Sequence, residues 1–322
     1  MRVLVTGGAG FIGSHYVRSL LGGAYPAFAG AEVVVLDLLT YAGTLTNLPE
    51  SDDRMRFVHG DIRDAAAVAD VMAGTDVVVH FAAESHVDRS ITGAADFVST
   101  NVVGTQVLLQ AALDAEVGRF VHVSTDEVYG SIDEGSWPET HPLEPNSPYS
   151  ASKASSDLLA RSYHRTHGLP VCITRCSNNY GPHQFPEKVI PLFVSNLLDG
   201  KKVPLYGDGL NVRDWLHVDD HCRGIQLVAE KGRDGEVYNI GGGTELTNRE
   251  LTHRLVAAVG ADDSMIEQVA DRKGHDRRYS VDWSKIGDEL GYAPQVPFDQ
   301  GLADTVAWYT DNRTWWEPLR TR

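Results

Sequence analysis

The chain has 322 residues, 42% of them apolar, and a formal net charge of −16. That length can bury a full core and leaves room for a second, smaller region, while the acidic balance excludes nucleic acid, whose phosphates need a basic face. No apolar span of membrane length and no leader pattern is expected, because Arg2 runs straight into a strand, so the expected location is the cytoplasm.

Residues 1–13 read M-R-V-L-V-T-G-G-A-G-F-I-G. A β-branched strand feeds a turn whose glycines, Gly7, Gly10 and Gly13, stand three apart. Phe11 and Ile12 open a helix with Ile12, Tyr16 and Leu20 on one face. Glycine lets the main chain approach a pyrophosphate, and the helix N–H groups and dipole stabilise its charge. The next strand ends in Asp37, where a carboxylate accepts hydrogen bonds from a ribose and repels a 2′-phosphate, which points to NAD rather than NADP.

Strands are predicted near 2–6, 33–37, 56–59, 77–82, 119–123 and 171–176, and helices near 11–21, 64–73, 93–114 and 149–167. This alternation predicts an α/β fold, a Rossmann-type doubly wound parallel sheet with ligands at the strand carboxyl ends. A smaller mixed α/β C-terminal region follows, giving 1–177 as the cofactor domain, to which some later segments return, and 178–322 as mainly a substrate domain.

The strand at 119–123 delivers Thr125, Asp126 and Glu127 to its carboxyl end; alone, two adjacent acids read as a solvated turn. Asn146, Ser147 and Pro148 form a helix start. Tyr149 and Lys153 then share one helical face, where a nearby ammonium lowers a tyrosine pKa from its reference near ~10. Cys172 and Cys176 lie on one predicted strand, about 13 Å apart at ~3.3 Å per residue, and read as core thiols rather than a disulfide. His217 and His221 have helical metal spacing but no third ligand, and Val218-Asp219-Asp220 reads as a helix start, so no metal is expected.

These motifs, with H-G-D-I-R-D at 59–64, F-A-A-E-S-H-V-D-R-S at 81–90, S-T-D-E-V-Y-G at 124–130, Y-S-A-S-K at 149–153, N-N-Y-G-P at 178–182, P-E-K-V-I-P-L at 186–192 and D-R-K-G-H-D at 271–276, span nearly the whole chain. The chain resembles the extended short-chain dehydrogenases/reductases and, among them, the dTDP-glucose 4,6-dehydratases; Asp126 beside Glu127 is the narrower mark. The resemblance implies NAD as cofactor, held by Gly7, Gly10, Phe11, Ile12, Gly13, Asp37, Leu38, Thr40, Asp61, Ile62, Phe81, Ala82, Ala83, Ser85, Thr100, Tyr149, Lys153 and Asn179. It assigns the nucleotide sugar to Ser85, Thr125, Asn178, Lys188, Val189, Pro204, Leu205, Tyr206, Arg213, Asn248, Asp271, Arg272 and His275. Thr247 and Glu250 also form a T-x-x-E capping box around Asn248, and Lys273 stands where the family pattern has proline.

By the same resemblance, Thr125, Asp126, Glu127, Tyr149 and Lys153 are catalytic. Tyr149 takes the C4 hydroxyl proton as C4 is oxidised, Glu127 removes the C5 proton, and Asp126 protonates the leaving C6 hydroxyl. That requires neighbouring carboxyls with split pKa values. A UDP-sugar 4-epimerase or a decarboxylase of the same family, and a non-catalytic NAD-binding scaffold, are the alternatives. Helices 93–114 and 149–167 have apolar residues beyond one stripe, among them Val98, Val102, Val103, Leu158 and Leu159, which points to a second partner; the resemblance implies that this partner is a second copy, in a homodimer through these helices.

Overall fold

Runs of valine, isoleucine and leucine with no polar alternation are suited to strands covered on both faces, and the chain's first six strands include such runs at 3–5, 33–36 and 77–79. In the computed structural model, which describes residues 1–271 and 275–321, they are β1 (Arg2–Thr6), β2 (Glu32–Asp37), β3 (Met55–His59), β4 (Val77–His80), β5 (Arg119–Thr125) and β6 (Val171–Cys176). They pair in parallel in the order β3-β2-β1-β4-β5-β6. Chain direction across the sheet reverses between β1 and β4, which makes their carboxyl ends the crevice where such sheets bind ligands.

Helices cover both faces. One layer has α1 (Phe11–Leu21); the other has α2 (Ala65–Met72), then the short α3 (Val87–Thr92) and α4 (Ala94–Phe97), and α5 (Thr105–Asp114) and α6 (Pro148–His167). The continuous helix predicted over 93–114 is broken. After α4 the chain runs through a π-helical segment, Val98–Gly104, before α5 begins. The cause is tertiary: buried Asn101 accepts the Glu84 N–H and donates to the Glu84 carbonyl (2.9 Å each) and to the Ser152 hydroxyl (2.8 Å). Widened turns of this type concentrate at functional sites.

Beyond β6 the chain builds an outer wall and then returns to the sheet. β7 (Asn178–Tyr180) precedes α7 (Val189–Leu198), β8 (Val203–Tyr206) and β9 (Val212–His217); α8 (Val218–Lys231) and β10 (Val237–Ile240) come next. β10 pairs with β6 and extends the parallel sheet to seven strands. β11 (Glu245–Thr247), α9 (Asn248–Val259) and β12 (Ile266–Val269) go back outward, β11 pairing with β9 and β12 with β8. This wall has its own apolar core, including Phe193, Trp215, Leu251 and Tyr309.

Cys172 and Cys176 are buried free thiols. His217 caps α8, its Nδ1 accepting the Asp219 N–H at 3.3 Å, while His221 lies inside that helix with Nδ1 2.9 Å from Asn179 Oδ1.

Candidate active site

The strand ends and the outer wall enclose one cleft of about 600 Å³. On its sheet side, α1 begins at Gly10 with no side-chain cap and no acid in its first turn, so its leading amides present a ready anion site. Gly7 has φ +68°, and a Cβ there would stand 2.6 Å from the Ala82 main-chain nitrogen; one on Gly13 would stand 2.3 Å from the Gly7 carbonyl oxygen. Only glycine leaves this cradle open. Gly7, Gly10, Phe11, Ile12 and Gly13 all line the cleft.

Asp37 ends β2, its oxygens accepting the Ala9 and Leu39 N–H groups at 2.9 and 2.8 Å. Burial pushes its carboxyl up, and those two amides pull it back. Leu38, Thr40, Asp61 and Ile62 continue the wall, followed by Phe81, Ala82, Ala83 and Ser85 after β4 and by Thr100 from the π segment. Asp61 is gripped by Arg63 (Nη2 to Oδ2 2.6 Å), which holds its carboxyl below the usual range. A dinucleotide fits this half: an uncapped helix end for its phosphates and a buried carboxylate at the ribose position.

At the centre, Thr125 ends β5, and its hydroxyl caps a single 3₁₀ turn, Asp126–Tyr129. Asp126 is 2% exposed, and its Oδ2 has no hydrogen-bond partner among the described residues. Burial, then the charges of Glu127 and Asp214, push its carboxyl well above the usual range. Opposite, Ser147 caps α6 and exchanges capping-box hydrogen bonds with Ser150, which sets Tyr149 and Lys153 on the face turned to the cleft. Lys153 Nζ donates to the Val123 carbonyl at 2.9 Å.

The expectation that Lys153 lowers the Tyr149 pKa is not met. Burial first, then the Glu127 and Cys176 charges, push the phenol well up, with a hydrogen bond from Thr125 opposing. The lysine is itself affected by burial, which brings its ammonium down to about 8 against the pull of Asp157.

The outer wall supplies Asn178 and Asn179 from β7, Lys188 and Val189 at the start of α7, Pro204, Leu205 and Tyr206 from β8, Arg213 from β9, Asn248 from α9, and His275. Lys188 Nζ reaches the Ser85 carbonyl at 2.8 Å, tying this wall to the loop after β4. Arg213 donates to the Val212 and Asp276 carbonyls at 2.7 and 2.9 Å, with its guanidinium 4.1 Å over the Tyr279 ring. The Thr247–Glu250 capping box forms. Asp271 is not on the cleft wall; its carboxylate meets His275 Nδ1 at 2.7 Å, so it holds a wall residue instead. Arg272 and Lys273 lie outside the described residues.

Sequence reasoning passed over Glu187. It accepts from Tyr41 at 3.0 Å and lies 3.5 Å from Arg89 and 3.7 Å from His86, joining three loops at the cleft mouth. Its neighbour Lys188 was the only charge taken from P-E-K; the second charged residue of that motif was the available signal.

The profile of the GDP-mannose 4,6 dehydratase family matches residues 4–305. The chain belongs to this family. Within the dehydratase family, it is 67% identical to a dTDP-glucose 4,6-dehydratase of Streptomyces antibioticus over 100% of this chain and 96% of that one. The structure of DesIV, a dTDP-glucose 4,6-dehydratase from Streptomyces venezuelae solved with NAD and TYD bound, superposes with a TM-score of 0.98 at 69% identity, covering 99% of this chain and 100% of that one. A UDP-glucose 4-epimerase of Thermotoga maritima, solved with UDP-glucose, gives a TM-score of 0.90 at 34% identity over 97% of this chain and 100% of that one. The fold is thus shared with epimerases, and the chemistry has to be read from the site.

Proposed function

We propose that this chain is an NAD-dependent hydro-lyase that converts dTDP-glucose to dTDP-4-keto-6-deoxyglucose. One observation supports this over the other reactions of the fold: a buried Asp126, its carboxyl pushed up by burial and by the neighbouring charge, adjoins Glu127 in the cleft that also contains Tyr149 and Lys153. A 4-epimerase needs the phenol and the lysine but has no use for such a carboxyl pair.

When bound, the oxidised nicotinamide supplies a hydride acceptor for C4, a positive charge that draws the Tyr149 pKa back down and, once reduced, the hydride that returns to C6. Tyr149 takes the O4 proton, while Thr125 hydrogen-bonds the same oxygen. The resulting ketone acidifies the C5–H bond. Glu127 removes that proton as Asp126 gives its own to the departing C6 hydroxyl, so that water leaves. Glu127 then returns its proton to C5. In the same reading, the residues named on the sheet wall hold NAD, and Lys188, Arg213, Asn248 and His275 hold the nucleotide diphosphate.

Incubation of the purified chain with dTDP-glucose and NAD should give a product lighter by one water, with the alkaline absorbance of a 4-keto-6-deoxy sugar. A product of unchanged mass epimerised at C4 would overturn the reading.

The homodimer belongs to the same proposal. Val98, Val103 and Leu158 are 51%, 48% and 56% exposed on the π segment and α6, an apolar area that a second copy would cover. Leu158→Glu should shift the sedimenting species from dimer to monomer; a native chain that sediments as a monomer at micromolar concentration would refute it. The cytoplasm suits three buried free thiols and a shared NAD pool.

A further inference from the structure

Two separate elements hold the reacting groups, the 3₁₀ turn with Asp126 and Glu127 and the helix α6 with Tyr149 and Lys153, and a buried polar chain joins them behind the cleft. Tyr129, the last residue of that turn, is 1% exposed. Its hydroxyl accepts from Arg175 Nη1 at 2.8 Å and donates to Asn239 Oδ1 at 2.9 Å, so the turn is anchored to both β6 and β10. Arg175, also 1% exposed, donates through Nε to Asp157 Oδ2 at 2.8 Å. Asp157 is fully buried on α6, one helical turn beyond Lys153, and its other oxygen lies 3.3 Å from His122 Nε2. In the β5–β6 register, Arg175 stands opposite Ser124, immediately before Thr125.

A buried ion pair is weak evidence of stabilisation, since apolar residues of the same volume often serve as well. This one even leaves Arg175 Nη2 without an acceptor among the described residues. Its geometry suits another purpose, because it is a buried polar connection between the acid/base turn and the phenol/ammonium helix.

We propose that Tyr129 and Arg175 are positioning residues that place Asp126 and Glu127 for water elimination, acting through the chain Tyr129–Arg175–Asp157. The proposal rests on the acid/base reading of Asp126 and Glu127 given above. C4 oxidation depends on Tyr149 and Lys153, which have their own anchors in the Ser147 cap and the Val123 carbonyl. Loosening the turn should therefore slow elimination selectively.

Tyr129→Phe tests this, because it removes one hydroxyl and keeps the ring stacked on Trp137, at 5.4 Å between centroids. In single turnovers of the NAD-loaded enzyme with dTDP-glucose, reduction of the nicotinamide, read by absorbance, and the KM should stay within about two-fold, while water loss, read by mass, slows by up to about 100-fold, the effect of a misplacement near 1 Å. A sugar lighter by two hydrogens should accumulate. Unchanged water loss, or equal slowing of both steps, would overturn the proposal. Asp126→Asn in the same assay separates the two layers. If it eliminates water at the full rate, the acid/base reading itself falls; if it blocks elimination while Tyr129→Phe does not, only the positioning role falls.

Discussion

On the sheet side of the cleft the donors that meet an anion are main-chain amides at the start of α1, fixed by glycines that no side chain can replace. On the outer side they are side chains, Lys188, Arg213 and His275, each held by a carbonyl or a carboxylate: Ser85, Val212 and Asp276, and Asp271. The difference is one of origin for positive potential. A helix terminus provides it without any net charge, whereas the outer wall has to set two formal cations, Lys188 and Arg213, against the field of a chain at −16. The first wall should therefore be the more sensitive to geometry, and the second the more sensitive to charge and salt.

The largest effect expected from this contrast is that of Gly13→Ala. The added Cβ would stand 2.3 Å from the Gly7 carbonyl and 2.9 Å from Gly8 Cα, main-chain atoms that cannot move aside without opening the turn. Overpacking of this kind costs about 1–3 kcal/mol or more. NAD titration should show affinity reduced by at least about ten-fold, with little dependence on ionic strength. Unimpaired NAD binding would break the claim that main-chain shape governs this wall.

Arg213→Met probes the other wall. Methionine keeps apolar contact with the Tyr279 ring, where the guanidinium sits 4.1 Å from the centroid, and deletes the charge. Hydrogen bonds to charged groups contribute about 1.5–3 kcal/mol, so KM for dTDP-glucose should rise by roughly 10- to 100-fold, and its salt dependence should flatten. A salt dependence unchanged from the native chain would mean that the outer wall does not work through charge.

Much of the sheet wall was legible because its signals are local. The glycine spacing, the strand ending in Asp37 and the helix start at Ser147-Pro148 each lie within a few residues of the groups they position. The π segment was not legible, because nothing in Val98–Gly104 departs from helical periodicity; its cause is Asn101, which bonds Glu84 and Ser152, distant in sequence. The protonation of Tyr149 was misjudged for a similar reason. Four-residue spacing puts Lys153 on the face of Tyr149 but could not register the burial and the Glu127 charge that push the phenol up. Asp271 and His275 come from one motif, yet His275 lines the cleft while Asp271 holds it, a difference that a linear match cannot separate.

The seam between the walls gives a smaller, pH-dependent effect. With its ammonium brought down to about 8, Lys153 should lose its proton as pH rises through that value, and C4 oxidation should fall about ten-fold per unit beyond it. Stability moves the other way. Because the folded pKa lies below the unfolded value of 10.5, folding penalises the charged form, and that penalty fades between about 8 and 10.5. Loss of nicotinamide reduction with an unchanged or rising melting temperature over this window is the expected signature, and a parallel fall of both would assign the limb to unfolding.

The smallest effect separates a cap from a contact on the outer wall. Thr247 Oγ1 accepts the Glu250 N–H at 3.1 Å, and Glu250 Oε2 accepts the Thr247 N–H at 2.8 Å, so the box closes the start of α9 without the Asn248 side chain. Asn248 follows directly, its main-chain N–H held by the Asn211 carbonyl at 2.9 Å and its side chain left to the cleft. Thr247→Ala should lower stability by about 1 kcal/mol in denaturant titration, with kcat unaltered and only a slight rise in KM. Asn248→Ala should do the converse, raising KM at constant stability, since its side chain plays no part in the cap. If instead both variants shift KM alike, the box is what orients the ligand-facing residue, and helix stability and sugar affinity on this wall are one quantity rather than two.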